Sequence, residues 1–308
     1  MSLPVATVVI STKDRRESLA RTIESALAQT VAPEVLVIDD GSTDGTDEMV
    51  RARFPQVHLE RSPVSRGYIA QRNLGASLAR AKVVVSLDDD AYFPSDRTVE
   101  QTLVEFDHRR VGAVAIPFVN VNSGPQVLQR APARGADIFV TDSFVGTAYA
   151  IRRDVFLGLG GFRTEFFHQG EERDLCLRML ATGRVVRLGT ADPIHHVESP
   201  LRSWRRMALY GRRNDVLFAW YNVPTVMLPV HLSASSLLGL RCGLRTGHLG
   251  AMGLGLLRGA GAALRAPRAR RPVSLRTYVL ARRLRRGRGL PLGLFELTLP
   301  SLDRPEGV

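Results

Sequence analysis

The sequence predicts an α/β fold: a doubly wound, mostly parallel sheet with a helical, basic C-terminal extension. Short apolar segments alternate with helical patterns along the first 90 residues, as crossover connections between parallel strands require. Two of these segments end in clustered aspartates, at the sheet edge where open α/β folds bind ligands. Charge is unevenly distributed between the two parts of the chain. Residues 1–200 carry 23 basic and 26 acidic side chains (−3), and residues 201–308 carry 19 and 4 (+15), which together give the net charge of +12.

The first half contains four strand-like segments separated by apolar helical stripes. Asp14 and Glu17 have the spacing of a capping box and predict the start of the first helix. The last segment, Val-Val-Val-Ser-Leu-Asp-Asp-Asp, is apolar without alternation, which is typical of a strand buried on both faces. The predicted strands are Val5–Ile10, Val35–Ile38, Val57–Leu59 and the segment 83–90.

The aspartates after the fourth segment predict a metal site. Side chains alternate along an extended strand, so Asp88 and Asp90 point one way and Asp89 the other. Two carboxylates on one side suit Mg²⁺ or Mn²⁺, which is held by one or two carboxylates together with substrate phosphates. A solvated acidic turn is the alternative. Asp39-Asp40 alone would be read as a turn cap, but two acidic strand ends favour one shared ligand site.

Four segments match a known family in order and spacing. They are Val8–Arg15, Val37–Thr46, Gly67 with Arg72–Gly75, and Leu87–Asp90. Through these segments the chain resembles the family-2 glycosyltransferases of the GT-A fold, across roughly residues 5–220.

The resemblance implies a nucleotide-sugar donor and a divalent metal, Mg²⁺ or Mn²⁺. It implies that Ser11 and Asp40 lie near the base and ribose, that Arg72 lies near the nucleotide, and that the aspartate triplet contacts ribose and metal. The donor-binding residues predicted in this way are Ser11, Asp39, Asp40, Gly67, Arg72, Asp88 and Asp89. The predicted metal ligands are Asp88, Asp90 and one of the pair His195-His196, a position where the family often has a histidine.

The second half is predicted to hold the acceptor and the base. Val111–Pro117 and Phe144–Arg152 are predicted strands, and the segment 118–142 is predicted to be loop and irregular hairpin. After a Gly160–Phe162 turn, Glu171 and Glu172 begin a helix, where acids also occur for stability alone. The segment resembles the Gly-Glu-Asp-x-Asp-Leu motif, whose second acid is the general base of inverting enzymes. That position is Glu172 here, with Glu171 as the second candidate.

The predicted domains are a GT-A catalytic domain, 1–222, with halves 1–110 and 111–222, and a helical arginine-rich region, 223–308. Residues 216–240 carry no Asp, Glu, Lys or Arg, and small residues recur every fourth position from Gly243 to Ala263, a pattern that favours close helix packing. Ten arginines fall between Arg265 and Arg288, which suits an anionic membrane surface. We expect interfacial or protein-buried packing of 216–240 rather than a membrane span.

Composition limits the location and the partners. Only two cysteines occur, which fits a reducing compartment, and the first apolar run is too short for a signal peptide. We therefore expect a cytoplasmic protein, peripheral at the cytoplasmic face of a membrane, acting on a glycan or lipid-linked acceptor. No nucleic-acid partner is expected, because aromatic residues are scarce beyond Tyr221. The alternatives are a catalytically silent sugar-nucleotide or glycan-binding module and a nucleic-acid binder that uses the arginines.

Overall fold

The computed structural model describes residues 3–132, 137–198, 203–287 and 289–303. Its main sheet has nine strands. They are β1 (Thr7–Thr12), β2 (Glu34–Asp39), β3 (His58–Arg61), β4 (Val83–Asp88), β6 (Val111–Ala115), β9 (Phe139–Thr141), β10 (Ala148–Arg152), β11 (Val185–Leu188) and β13 (Leu290–Pro291), in the order β13-β9-β11-β6-β10-β4-β1-β2-β3. A smaller sheet has the order β5-β12-β7-β8, from β5 (Ala91–Tyr92), β7 (Phe118–Asn120), β8 (Val127–Leu128) and β12 (Ile194–His196).

The main sheet is mostly parallel. β1 pairs in parallel with β2 and β4, β2 with β3, and β6 with β11, whereas β9 and β10 run against their neighbours. The predicted α/β fold class is therefore confirmed. The segment 118–142 contains the antiparallel β7–β8 hairpin followed by β9, and its residues 133–136 lie outside the described part.

Two apolar cores cover the two faces of this sheet, and the strands divide their side chains between them. Val8 and Ile10 belong to one core, and Val9 to the other. In the same way Val85 and Leu87 face the first core and Val84 the second. This alternation explains why the strands read as continuous apolar runs in the sequence.

Ten α-helices are described. They are α1 (Arg16–Leu27), α2 (Thr46–Arg53), α3 (Tyr68–Leu78), α4 (Thr98–Val104), α5 (Arg153–Gly158), α6 (Glu171–Ala181), α7 (Trp204–Asn222), α8 (Leu228–Thr246), α9 (Leu249–Arg265) and α10 (Leu275–Gly287).

The predicted capping box at the start of α1 is wrong. Arg15 occupies the N-cap position and no side chain caps the helix there. Asp14, with a φ of +51°, instead accepts hydrogen bonds from Thr43, 2.7 Å from its backbone N. Asp14 therefore joins the first strand end to the loop after β2, because this tertiary contact outweighs the local capping preference.

The C-terminal helices pack onto the sheet domain. Gly255 and Gly259 of α9 face α7, and a Cβ at Gly259 would lie 2.7 Å from the backbone O of Arg213, so the small-residue row does form a close helix contact. α10 buries Leu280 and Leu284 in the first core, and β13 pairs with β9 at the edge of the main sheet. Among the described helices, none is long and apolar enough to cross a membrane. Arg288 lies outside the described residues, and the boundary at 222 stays a prediction.

Candidate active site

Asp88 and Asp90, at the end of β4, face the same space together with His196 of β12. One ligand atom from each of the three residues lies within 4.8 Å of the other two. Asp89 is buried instead and accepts a hydrogen bond from Thr12 Oγ1 at 2.8 Å. Burial, with the charges of Asp90 and Asp88, raises the pKa of Asp89 to about 7, although Arg15 opposes the rise. The predicted strand alternation does not extend through the triplet, because β4 ends at Asp88 and residues 89–90 form a turn, but the turn still separates two candidate ligands from one buried acid.

The pairing of β12 with β5 and β7 decides which histidine joins the carboxylates. His196 Nε2 lies 3.2 Å from Asp90 Oδ1, and its Nδ1 lies 2.7 Å from Asn120 Oδ1. His195 instead places Nδ1 3.1 Å from the hydroxyl of Tyr92. The structure therefore brings His196, and not His195, to the aspartates. Asn120 was not predicted, because its approach depends on the β7–β12 register.

The donor set fits a divalent cation. When Nδ1–H of His196 is donated to Asn120 Oδ1, a neutral imidazole directs the Nε2 lone pair at Asp90. Two acceptors at 3.2 Å need a proton or a cation between them. Burial acts to lower the pKa of His196, but the hydrogen bond and charge of Asp90 and the charge of Asp88 outweigh it, so the pKa is raised. Two carboxylates and one imidazole thus offer three converging ligand atoms to a divalent ion.

Arg15 is the cation next to this cluster. Its guanidinium forms an ion pair with Asp90 and lies 3.6 Å from Asp89. Burial acts to raise the pKa of Asp90, but the hydrogen bond from His196 and the charges of Arg15 and His196 hold it below its usual range. Arg15 stands in the first family-like segment, yet its role could not be predicted because its partners lie 75 residues away.

The predicted donor-site acids after β2 are engaged by the protein itself. Asp40 accepts hydrogen bonds from Ser65 Oγ at 2.6 Å, from the backbone N of Gly67 at 3.0 Å and from Gln71. Burial acts to raise the pKa of Asp40, but these hydrogen bonds lower it. Asp39 accepts from Ser42 N at 2.9 Å. Both aspartates therefore fix the loops that border the sheet edge.

Ser11 and Gly67 have side-chain positions that the protein itself does not engage. Ser11 Oγ is buried and has no hydrogen-bond partner among the described residues. Gly67 has a φ of +87° before α3, and a Cβ there would meet nothing within 4 Å. Both positions are close to the end of β2, because Ser11 pairs with Ile38 and the backbone N of Gly67 donates to Asp40.

Arg72 connects the triplet to the glutamates. Its Nη2 lies 2.6 Å from Asp88 Oδ1 and 3.1 Å from the backbone O of Gly146, and its Nη1 lies 3.5 Å from Glu171 Oε1. The guanidinium also lies 4.8 Å from the ring centroid of Tyr68. Arg72 is therefore an internal cation shared by two of the predicted site residues, Asp88 and Glu171, and by the backbone of Gly146.

The two glutamates differ in accessibility. Glu171 is fully buried, and its Oε2 has no hydrogen-bond partner among the described residues. Glu172 is only partly buried, and a Cβ added at Gly146 would lie 2.5 Å from its Oε1 and 2.6 Å from Arg72 Nη1. Burial raises the pKa of both carboxyls, opposed by the charge of Arg72. Glu172 is thus the more accessible acid, and it lies against Gly146, which has no side chain.

The turn before α6 is held by the same helix that carries Arg72. Asn73 Nδ2 donates to the backbone O of Phe162 at 2.8 Å, and its Oδ1 accepts from Phe162 N at 2.9 Å. Gly161 has a φ of +68°, and a Cβ there would lie 2.7 Å from Asn73 Oδ1. Arg72 and Asn73 of α3 therefore join the first half of the chain to the backbone of Gly146 and Phe162 in the second half.

Comparison with known proteins places this fold and site in one class. Residues 7–161, about half of the chain, match the family described as Glycosyl transferase family 2. The chain belongs to this family.

Two curated relatives are similar over much of the chain. The succinoglycan biosynthesis protein ExoU of Rhizobium meliloti (strain 1021) is 30% identical over 203 residues, covering 57% of each chain. The pre-mycofactocin glycosyltransferase of Mycobacterium tuberculosis (strain ATCC 25618 / H37Rv) is 30% identical over 224 residues, covering 67% of this chain and 46% of its own length. The chain thus spans about half the length of the curated relatives it matches.

Solved structures share the fold. The mannosyltransferase PcManGT from Pyrobaculum calidifontis, in complex with GDP-Man and Mn²⁺, has a TM-score of 0.55 at 22% identity and covers 96% of this chain and 88% of its own. S. aureus TarS has a TM-score of 0.57 at 16% identity, and the match covers 70% of this chain and 39% of the TarS chain. These likenesses confirm the predicted GT-A type fold.

Proposed function

We propose that the chain transfers a sugar from a nucleotide-diphosphate-sugar donor to an acceptor hydroxyl, with inversion at the anomeric carbon. One observation carries the proposal: acids from remote parts of the chain meet around Arg72. Asp88 lies 2.6 Å from this guanidinium and Glu171 lies 3.5 Å from it. A metal-binding edge and a candidate base therefore border one space, as a displacement reaction at a diphosphate ester requires.

The donor assignment is supported by the open positions at the sheet edge and by the structural relatives. PcManGT was solved with GDP-Man and Mn²⁺, and TarS residues 1–349 with UDP. In this chain Ser11 has an unpartnered hydroxyl, and the loop from Ser65 to Gly67 is fixed by Asp40. We assign the nucleotide to the part of the sheet edge near Ser11 and Gly67, and the sugar to the part near Glu172.

Asp88, Asp90 and His196 would hold Mg²⁺ or Mn²⁺. Such an ion, when bound, neutralises the negative charge that develops on a departing diphosphate. Arg15 and Arg72 flank the carboxylates and fix their directions, and Asn120 fixes the imidazole. His195 is left out of this set because it pairs with Tyr92.

Glu172 is the proposed general base. Its raised pKa and partial exposure suit a group that takes a proton from an acceptor hydroxyl as that oxygen attacks the sugar. Glu171 is buried beside Arg72 and would hold that guanidinium in place. Inversion follows because attack and departure occur on opposite faces, without a covalent enzyme intermediate.

We further propose that the chain works at the cytoplasmic surface of an anionic membrane, in cell-envelope or lipid-linked glycan synthesis. The support is the arginine content of residues 201–308 and the exposure of apolar side chains on α8 and α9. Leu238, Leu244 and Leu257 are 65%, 68% and 73% exposed. Cosedimentation with vesicles containing anionic lipid should fall with salt, and equal recovery in the supernatant at low salt would contradict this assignment.

The direct test is a panel of nucleotide-sugars assayed for turnover with Mn²⁺ or Mg²⁺, with and without chelator. We expect hydrolysis or transfer of one donor class, loss of turnover with chelator, and an inverted anomer in the product. Nucleotide binding without turnover across the panel would favour the silent binding module. A retained anomer would contradict the mechanism.

A further inference from the structure

A second cavity lies behind the candidate base, among α6, α7, α8, α9 and α10. Its volume is about 700 Å³, within the range of ligand pockets. We call it the arginine cavity, and its basic lining residues are Arg173, Arg212, Arg282, Arg285 and Arg286 together with His231.

The charge of the arginine cavity is poorly compensated. Among the described residues, Asp215 is the only acid that lines it, and this carboxylate forms an ion pair with Arg212. Arg173 Nη1 is 3.9 Å from the same carboxylate, at the limit of an ion pair. In the described part of the chain, Arg285 and Arg286 have no carboxylate at ion-pair distance, within 4.0 Å, although the charge of Asp142 acts on Arg285 and Arg173.

The neighbouring groups respond to this positive charge. Burial, followed by the charges of Arg173, Arg282, Arg285 and Arg212, lowers the pKa of His231 to about 4. Burial and the charge of Arg285 lower the pKa of Arg173 to about 10. An anion in the cavity would relieve both effects.

Apart from Ser235 and two glycines, the rest of the lining is aliphatic or sulfur-containing. Met207, Leu238 and Met252 line the cavity, and Leu238 is 65% exposed at its edge. Exposed Leu237 and Val230 continue this apolar surface along α8. The lining contains no Phe, Tyr or Trp, so a nucleic-acid base would find no stacking platform. The combination suits a molecule with an anionic head and an apolar chain.

The arginine cavity adjoins a smaller space at the start of α6. This space of about 180 Å³ shares Arg173, Gly211 and Asp215 with the cavity and is lined by Gln169 and Gly170 as well. Gly170 immediately precedes Glu171, and Arg173 immediately follows Glu172. A head group beside Arg173 would therefore lie next to the start of α6, the helix that carries Glu171 and Glu172.

We propose that the arginine cavity binds the phosphate-bearing head of an amphiphilic acceptor, whose apolar chain leaves along α8. This inference rests on the proposed function for its acceptor role, and on the cavity alone for its ligand class. The phosphate oxygens accept hydrogen bonds from Arg173, Arg282, Arg285 and Arg286.

The test uses the full chain and decyl phosphate, with inorganic phosphate and decyl maltoside as the two partial probes. Calorimetric titration should show decyl phosphate binding about tenfold or more tightly than either partial probe. The double variant Arg285→Gln/Arg286→Gln should weaken this binding about tenfold. Arg276→Gln/Arg283→Gln is the matched control, because it removes the same charge from the same helix outside the cavity.

Each alternative outcome is decisive. Inorganic phosphate binding as tightly as decyl phosphate would assign the cavity to a free anion and overturn the proposal. Decyl maltoside binding as tightly, or equal losses in both double variants, would also overturn it. Equal melting temperatures of the two variants establish that the loss is not caused by unfolding.

A second measurement separates the acceptor role from the proposed function. Decyl phosphate should change donor turnover in the wild type and in the control variant Arg276→Gln/Arg283→Gln. It should not change donor turnover in the cavity variant Arg285→Gln/Arg286→Gln. Binding without any effect on wild-type turnover would overturn the acceptor role while leaving the transferase intact. Absence of donor turnover in all chains would contradict the proposed function, and the titration would still decide the ligand class.

Discussion

At the acidic edge of the sheet, each candidate ligand carboxylate has its own arginine, whereas in the arginine cavity most guanidinium groups have no carboxylate. Asp88 pairs with Arg72 and Asp90 with Arg15, from distant parts of the chain. In the cavity a single acid, Asp215, faces five arginines. The first region is organised before any ligand arrives, so its chemistry depends on geometry. The second carries excess charge that only a ligand can balance.

The largest expected effect comes from the base. Glu172→Gln should lower kcat about a thousandfold, because the amide cannot accept the acceptor proton. Donor affinity, measured by calorimetry with the nucleoside diphosphate, should stay unchanged. Glu171→Gln is the matched control and should leave more activity, since Glu171 is buried and contacts Arg72. A larger loss in Glu171→Gln than in Glu172→Gln would reverse the assignment.

The preorganisation of the acidic edge is tested at Gly146. A Cβ there would come within 2.6 Å of both Glu172 Oε1 and Arg72 Nη1, so Gly146→Ala should displace these two groups. We expect kcat to fall about 10- to 100-fold, as for other small misplacements of catalytic groups. Gly158→Ala is the control, because nothing lies within 4 Å of a Cβ at that position. Equal kcat in the two variants would show that the edge is not tightly packed.

The burial of His231 among the arginines of the cavity predicts a pH-dependent stability. The pKa of His231 is about 4 in the folded chain and near 6.5 when unfolded, so the unfolded state binds the proton more readily. The resulting stability is present above pH 6.5 and is lost as the pH falls towards 4. We expect a loss of about 1–3 kcal/mol by urea unfolding, absent in His231→Gln. His58→Gln, at an exposed position, should keep the wild-type profile.

The smallest expected effects concern the wall of the cavity formed by α9. Gly259→Ala should destabilise the fold by about 1–3 kcal/mol, because its Cβ would meet backbone of α7. Gly261 faces open space within the same helix, and Gly261→Ala should stabilise it by about 0.5–1 kcal/mol. A lower melting temperature for Gly259→Ala together with a higher one for Gly261→Ala would establish the close α7–α9 contact. A higher melting temperature for both variants would argue against it.

The sequence predicted that Asp88 and Asp90 share one space without Asp89, and the structure brings them together with His196. The rule behind that prediction, strand alternation, does not apply through the triplet, because β4 ends at Asp88 and residues 89–90 form a turn. The choice of His196 over His195 could not be made, since it depends on how β12 pairs with β5 and β7. Arg15, Asn120 and Gly146 were missed because their partners are distant in sequence. Asp14 was misassigned because a tertiary hydrogen bond replaced the expected cap.

The arginine cavity is the feature that the sequence predicted least. Composition showed the excess of arginine, and spacing showed the small-residue row of α9. Neither indicated that Arg173 of α6 and the arginines of α10 line one space, since that depends on how α10 packs against the sheet domain. Packing between remote helices is set by the whole core rather than by any local pattern.

The most direct test of the account is whether Asp90 and its neighbours bind one divalent ion. Mn²⁺ should be titrated into the full chain, with UDP or GDP present, and followed by electron paramagnetic resonance. The account predicts one bound Mn²⁺ per chain, with affinity about tenfold or more weaker in Asp90→Asn and unchanged in Asp107→Asn, whose carboxylate is exposed. Wild-type affinity in Asp90→Asn would contradict the central claim that these acids form the metal site.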